Sequence, residues 1–323
     1  MKKIAIIGAG IAGATLSRKL LDHGFSVEVF EKSRGTGGRL SSARLGELTA
    51  DLGATTIESS SQDFESFLSG LQSQGMVERW SARHGQFDHL DTSSAQYWLG
   101  KGRNSAMTRG LLNGVALKTQ TRVGVVWSDN QGVLIRDEHG ELLDYYDAVA
   151  VAAPAPQAVP LLESVPRFAH RAQSVTTSAN WVVLFELPHL PSKLVNVDVV
   201  EGHHQSIERI TIESNKPGRS GTLIKLEMRE SWSASRLDDN REALLKEIID
   251  LFSVWCGESV KPLNSRLHRW LFNRSTQTAE GDTLLWDSSL NIGACGDWVS
   301  QPGIEGAWRS ASALADEMID SLK

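Results

Sequence analysis

The chain opens on a short unbroken apolar run, Lys3 to Ile7, the form of a strand buried on both faces of a parallel sheet. Gly8-Ala9-Gly10-Ile11-Ala12-Gly13 follows at once and opens a helix reaching about His23, where Gly24 ends it. A second apolar strand comes at Phe25 to Phe30. Asp63 to Leu71 then carries Phe64, Phe67, Leu68 and Leu71 at helical spacing. Gln96 to Gly100 reads as a strand, and Ala106 to Leu112 as a helix returning to the first unit. Ala148 to Ala153 is a small apolar strand, Trp181 to Leu187 an unbroken one, and Arg266 to Phe272 another. Thr222 to Met228 alternates and predicts a half-buried strand. Asp239 with Glu242 reads as a capping pair, after which Leu244, Ile248, Leu251, Phe252 and Trp255 line one helix face up to Gly257. Leu290 to Ala294 is the last strand, and a helix opens after Pro302 and runs to Leu322.

Composition narrows the class. The 323 residues suit two domains, and 41% apolar with 22% charged residues supports an ordinary core. A formal charge of −6 implies no basic face, so nucleic acid is not an expected partner. Two cysteines, Cys256 and Cys295, are too few for a disulfide framework or a cysteine-ligated metal, and no metal site is expected. Lys2-Lys3 before an apolar stretch resembles a secretory leader, but Gly8, Gly10 and Gly13 interrupt it and Arg18, Lys19 and Asp22 stand where cleavage should occur. The expectation is a cytoplasmic protein with no membrane partner.

The glycines have separate mechanical tasks. Gly8 permits the tight turn, Gly10 lets a diphosphate approach the backbone, and Gly13 lets the helix lie close on the strand. The helix N-terminus offers unpaired N–H groups to phosphate. Glu31, 18 residues after Gly13 at the end of the second strand, can accept hydrogen bonds from both ribose hydroxyls of an adenosine. Strand, turn, helix, second strand and acid at this spacing predict a dinucleotide site.

The following segment selects the dinucleotide. Lys32-Ser33-Arg34-Gly35-Thr36-Gly37-Gly38-Arg39-Leu40 sets two arginines among glycines directly after the acid, and Arg34 or Arg39 can meet the diphosphate. This resembles the Arg-x-Gly-Gly-Arg segment of flavin amine oxidases. Asp51-Leu52-Gly53-Ala54 is similar to a family segment that brings backbone close to the flavin ring. Val123 occupies the place of a family strand beside the adenine, and Ala153-Pro154 resembles the strand end beside the cofactor. At the far end, Cys295-Gly296-Asp297-Trp298 precedes Pro302-Gly303-Ile304-Glu305-Gly306-Ala307. In the flavoproteins this resembles, that aspartate bonds the ribityl chain and the helix points its N-terminus at the flavin pyrimidine oxygen. The resemblance therefore assigns to FAD, held non-covalently, Gly8, Gly10, Ile11, Ala12, Gly13, Glu31, Lys32, Arg34, Gly38, Arg39, Leu40, Gly53, Ala54, Thr55, Val123, Ala153, Pro154, Gly296, Asp297, Gly303, Ile304, Glu305 and Ala307. It implies an α/β fold of the p-hydroxybenzoate hydroxylase/amine oxidase kind. An FAD-binding Rossmann-type domain (1–75, 108–165, 285–323) would be interwoven with an α+β substrate domain (76–107, 166–284).

Nearly end to end the chain resembles the renalases in their bacterial form, through Glu31 to Arg39, Ala153-Pro154-Ala155-Pro156-Gln157, Asn180-Trp181-Val182, Ser214-Asn215-Lys216-Pro217, His268-Arg269-Trp270-Leu271 and Glu305-Gly306-Ala307-Trp308. The resemblance implies oxidation of dihydronicotinamide isomers, hydride passing to the flavin and its electrons to oxygen to give hydrogen peroxide. One segment departs: renalases carry Gln-Tyr-Phe-Thr and an arginine where this chain reads Thr55-Thr56-Ile57-Glu58-Ser59. An aromatic wall is lost, an acid appears, and binding of an anionic substrate should weaken. The alternatives are another flavin amine oxidase or dehydrogenase, or a flavin-binding protein without turnover.

Hydride transfer needs positioning and a dry pocket more than an acid or base. Tyr97, Trp98, Trp181, Trp270 and Trp298 are candidate pocket walls, although such residues serve more often as plain core. His268 is an orienting hydrogen-bond donor or a core histidine, and Arg269 alternates to the opposite face. His268, Trp270 and Trp181 are the catalytic candidates, and Tyr97, Trp98, Trp181 and His268 the substrate contacts.

Overall fold

The computed structural model describes residues 1–278, 281 and 284–323. Among them a six-stranded sheet runs in the order Leu285–Asp287, Ile292–Ala294, Ala148–Val151, Lys3–Ile7, Ser26–Phe30 and Ala116–Lys118. All neighbours are parallel except the outer pair formed by Leu285–Asp287 and Ile292–Ala294. The unbroken apolar run at Lys3–Ile7 has its reason in this position. Ile4 and Ile6 face one cluster with the helices Ile11–Asp22 and Gly303–Leu322, while Ala5 and Ile7 face another with Ala155–Leu161. The helix Pro166–Gln173, expected beyond the edge of the dinucleotide unit, sends Phe168 and Ala172 into this second cluster.

A seven-stranded sheet forms the other layer: Asn264–Ser275, Thr177–Glu186, Leu223–Met228, Ile207–Ile212, Val199–Glu201, Val77–Gln86 and Ser93–Gly100. One face packs on the helix Arg241–Cys256, joining Trp181, Val183, Phe185, Ile210 and Leu226 to Leu244, Ile248 and Phe252. The other face turns to the dinucleotide unit, where Val182, Leu184 and Leu223 meet Ala43, Ala50 and Leu52. Asn240, not Asp239, caps that helix, accepting from the N–H groups of Glu242 and Ala243. An asparagine side chain placed directly before the first turn reaches those donors, whereas Asp239 stands one residue too early. Gly257 ends the helix at φ +77°.

The strand read as half-buried is buried throughout, Leu223 to Met228 alike. Its alternation is real, but the polar face carrying Lys225 and Glu227 is covered by the loop at Gly53–Thr55 instead of water. Registers across four adjacent strands align His268 with Val182, Val182 with Glu227, and Glu227 with Arg209. In-register neighbours share a face, so these side chains make one row, about 14 Å long at ordinary strand spacing.

Candidate active site

A cavity of about 1080 Å³ lies between the two layers, larger than the pockets of drug-sized ligands, and Glu31 and Asp297 both line it. At its front, Gly8 holds φ +112°, and a Cβ there would stand 2.7 Å from Ala152 O. A Cβ on Gly13 would sit 1.9 Å from Gly8 O, which keeps the helix against the turn. Gly10 instead faces open space, with nothing within 4 Å of its Cβ position, and begins the helix without any side-chain cap. The first N–H groups of that helix, beside Ile11 and Ala12 in the lining, are therefore available to an anion. Buried Glu31 accepts the Ala9 N–H at 2.9 Å and the Ser33 N–H at 2.8 Å, which fixes its carboxylate at the cavity edge. Lys32 reaches across to Gln157 at 2.8 Å, and Arg34 stands exposed at the rim. Gly38, Leu40, Val123, Ala153 and Pro154 complete this end.

The rear joins the two ends of the chain. Asp297, 2% exposed in its side chain, takes both terminal nitrogens of Arg39 at 2.7 and 2.6 Å and the Ser275 hydroxyl at 3.2 Å. The Arg39 guanidinium, expected on a diphosphate, here bonds this carboxylate. The helix Gly303–Leu322 also starts with no side-chain cap, and Gly303 at φ +94° faces open space. Ile304 and Ala307 line the cavity beside it. Glu305 instead accepts the Ser60 N–H at 2.7 Å and pairs with Arg309. Gly53 allows no side chain, since a Cβ would fall 2.0 Å from Arg39 O, and Gly296 lies next to Asp297 in the lining with Ala54 and Thr55 opposite.

Beneath Thr55 lies a buried ion cluster. Lys216 Nζ donates to Asp51 at 2.9 Å and to the Thr55 carbonyl at 2.9 Å, and stands 2.8 Å from Glu213 as an ion pair. Arg219 pairs with the same two acids, and all four side chains are at most 5% exposed. Burial alone would raise the Asp51 carboxyl, but Lys216 and Arg219 hold it well below the carboxylate range.

The wall contributed by the seven-stranded sheet carries His268, Trp270, Glu227 and Arg209. The His268 ring meets Trp270 edge-on at 4.5 Å, and the Trp270 N–H donates to Leu52 O at 3.2 Å. Burial, reinforced by Arg266 and Arg241, pushes His268 down to about 4, so it is neutral near pH 7. Glu227 accepts from Thr55 Oγ1 at 3.2 Å, Lys225 Nζ at 3.3 Å and Arg209 Nη1 at 3.3 Å. Against the burial that would raise it, Lys225, Arg209 and Arg274 keep its carboxyl at about 2. Arg209 also bonds Glu201.

Four aromatic candidates fall elsewhere. Trp181 does not line the cavity: it neighbours Val182 in an extended strand and so points to the opposite face, its N–H on Arg236 O at 3.0 Å. Arg269, paired with Trp181 in register, turns to that side as well. Trp98 lies in the core below Arg79, and with Tyr97 borders a separate cavity of about 260 Å³ that meets the main one only at Glu58 and Ser59. Trp298 is buried with its N–H on Ala153 O at 3.0 Å, supporting the wall from behind.

Comparison with known proteins identifies the fold's kin. A profile for an NAD(P)-binding Rossmann-like domain matches residues 6–71, and one for flavin containing amine oxidoreductases matches residues 60–319. The chain belongs to the flavin-containing amine oxidoreductase family. It is 39% identical over 56 residues to a zeta-carotene-forming phytoene desaturase of Myxococcus xanthus, covering 17% of this chain and 11% of that protein. It is 39% identical over 70 residues to the mitochondrial protoporphyrinogen oxidase of Nicotiana tabacum, covering 22% and 14%. The matched stretches are thus a small part of these curated relatives. Among solved structures, cyclohexylamine oxidase of Brevibacterium oxydans IH-35A superposes with TM-score 0.75 at 12% identity over 99% of both chains. A fatty acid isomerase of P. acnes does so with TM-score 0.71 at 11% identity over 98% of both. At such identities these likenesses show the fold alone.

The family's cofactor is FAD, and this oxidoreductase fits it. Two uncapped helix N-termini open on one cavity, and the open Cβ positions of Gly10 and Gly303 leave its floor bare. Neither cysteine lines it. Among the described residues no helix is long and apolar enough to cross a membrane. Sequence reasoning missed Arg209 and Glu227. Their signal was present: charged residues set inside otherwise apolar strands, adjacent in Ile-Glu-Arg-Ile and alternating in Leu-Ile-Lys-Leu-Glu-Met.

Proposed function

We propose that the protein is an FAD-dependent oxidase for a small polar nitrogen heterocycle of the dihydronicotinamide kind, and that oxygen takes the electrons. The balance is one dihydronicotinamide, one proton and one dioxygen giving one nicotinamidium and one hydrogen peroxide. FAD, when bound, supplies the hydride acceptor and the route to oxygen. The observation that carries the reading is the wall row His268, Glu227 and Arg209, with Thr55 facing it. An apolar polyene or fatty chain would strip water from these groups without replacing their hydrogen bonds, a cost the site is not built to meet. A planar polar ring suits them. Trp270 and neutral His268 provide an aromatic edge and a hydrogen-bonding nitrogen for that ring, and the sheet excludes water from its far side.

A second reading, oxidation of a small amine, draws support from Glu58 and Glu227, two carboxylates at the same end of the cavity. Anaerobic mixing of the holoenzyme with 6-dihydroNAD, with benzylamine, or with neither decides between them. Bleaching of the oxidised flavin band by 6-dihydroNAD alone is the expected result. Bleaching by benzylamine alone would replace the first reading with the second, and bleaching by neither would refute both.

A further inference from the structure

Arg209 and Glu227 stand side by side on adjacent strands, directly opposed in register. Arg209 gives its Nε to Glu201 and its Nη1 to Glu227 at 3.3 Å, and among the described residues Nη2 donates to no protein group. Glu227 receives three hydrogen bonds, from Thr55, Lys225 and Arg209, of the roughly four a carboxylate can accept. Among the described residues Arg209 thus keeps N–H groups without a protein acceptor beside a Glu227 with one acceptor position left, and both residues line the same wall of the cavity. The charges behind them are already matched, Glu227 by Lys225 and Arg209, and Arg209 by Glu201. An incoming carboxylate would face Glu227, and an incoming ammonium would face Arg209. A neutral group with an acceptor and an N–H donor on one carbon satisfies both positions.

We propose that Arg209 and Glu227 together read a primary carboxamide on the substrate ring, its oxygen accepting from Arg209 and its NH₂ donating to Glu227. This rests on the dihydronicotinamide reading, and it names the residues that would distinguish such a ring from its analogues. The row supplies the ring's other boundary. His268 lies two strands from Glu227, about 10 Å at ordinary spacing, and lines the same cavity, while Val182 between them is buried in the cluster with Ala43, Ala50 and Leu52. Thr55, from the opposite layer, orients the Glu227 carboxylate and so links the reader to the loop that borders the cofactor.

The test is a binding titration of the holoenzyme, followed by the shift of its flavin absorbance, with nicotinamide, 3-acetylpyridine and nicotinate. 3-Acetylpyridine keeps the carbonyl acceptor and lacks the donor, and nicotinate adds a charge. Wild-type protein is expected to favour nicotinamide over 3-acetylpyridine by about tenfold or more, as for loss of one hydrogen bond to a charged group. Nicotinate is expected to bind more weakly than either. Glu227→Ala should abolish the preference by weakening nicotinamide alone, Glu227→Gln should retain part of it, and Arg209→Met should weaken both carbonyl ligands. Equal wild-type affinities, or a Glu227→Ala variant that loses both ligands in proportion, would overturn the assignment. Reduction by 6-dihydroNAD is read separately. A selective nicotinamide site without reduction would sink the proposed oxidation and leave the carboxamide reader standing, and reduction without selectivity would do the reverse.

Discussion

Lys216→Met tests the cluster that holds the two layers together under the cofactor loop. In the native protein two acids, Asp51 and Glu213, face two bases, Lys216 and Arg219, all essentially out of water. Removing the lysine leaves the cluster with net charge −1, and breaking a buried pair in this way costs about 3–5 kcal/mol. For a chain of this length that lowers the melting temperature by about 5 °C. The Thr55 carbonyl also loses a 2.9 Å donor, so weaker retention of FAD should accompany the loss. Thermal unfolding of wild type, Lys216→Met and the exposed control Lys246→Met supplies the assay, the control being expected within about 0.5 kcal/mol of wild type. Acidity gives the sign. The Asp51 pKa is lowered on folding, so its contribution is complete above the unfolded value near 3.9 and is lost as pH falls through the lower folded value. The gap between wild type and variant should stay flat from neutral pH down to about 4 and narrow only below it. A Lys216→Met protein that melts with wild type and keeps its flavin would refute the reasoning.

Two further outcomes follow from the cavity. Gly13→Ala drives a methyl to 1.9 Å from the Gly8 carbonyl, backbone against backbone, so the helix must shift off the turn. A loss of about 1–3 kcal/mol, seen by chemical denaturation, and a fall in flavin content measured by absorbance should appear together. Arg39→Ala leaves the 2%-exposed Asp297 carboxylate without its bidentate partner. Dialysed protein should then release FAD, and full flavin occupancy in that variant would contradict the role given to the pair.

The front of the molecule was legible because its residues are dictated by backbone. Gly8 and Gly13 each answer a steric demand that no other residue type answers, and Gly10 leaves the start of the helix bare, so their spacing predicts the turn and its ligand class. Asp297 was legible for a similar reason, as an acid between a strand end and a helix start. The substrate wall was not. Trp181 and Val182 are equally apolar, and which of them faces the dinucleotide unit depends on strand parity set by neighbours distant in the chain. The same ambiguity hid Lys225 and Glu227, whose alternation looks like a solvent-facing edge until a loop from the other layer covers it. Trp98 and Trp298 carried no signal separating pocket from support, since their N–H groups find partners either way.

The ion pair between Arg39 and Asp297 spans 258 residues of chain. At ordinary ribosomal speeds of 5–20 residues per second, about 10–50 s separate the emergence of its two members. From its own emergence, a little before the middle of that interval, the strand Ala148–Val151 has no neighbour on the side where Ile292–Ala294 will dock. The nascent chain thus passes through a stage with an open sheet edge and half a coenzyme cradle. Its yield in cells should therefore respond to chaperone supply and to translation rate over the last third of the message more than to mutations in the early helices.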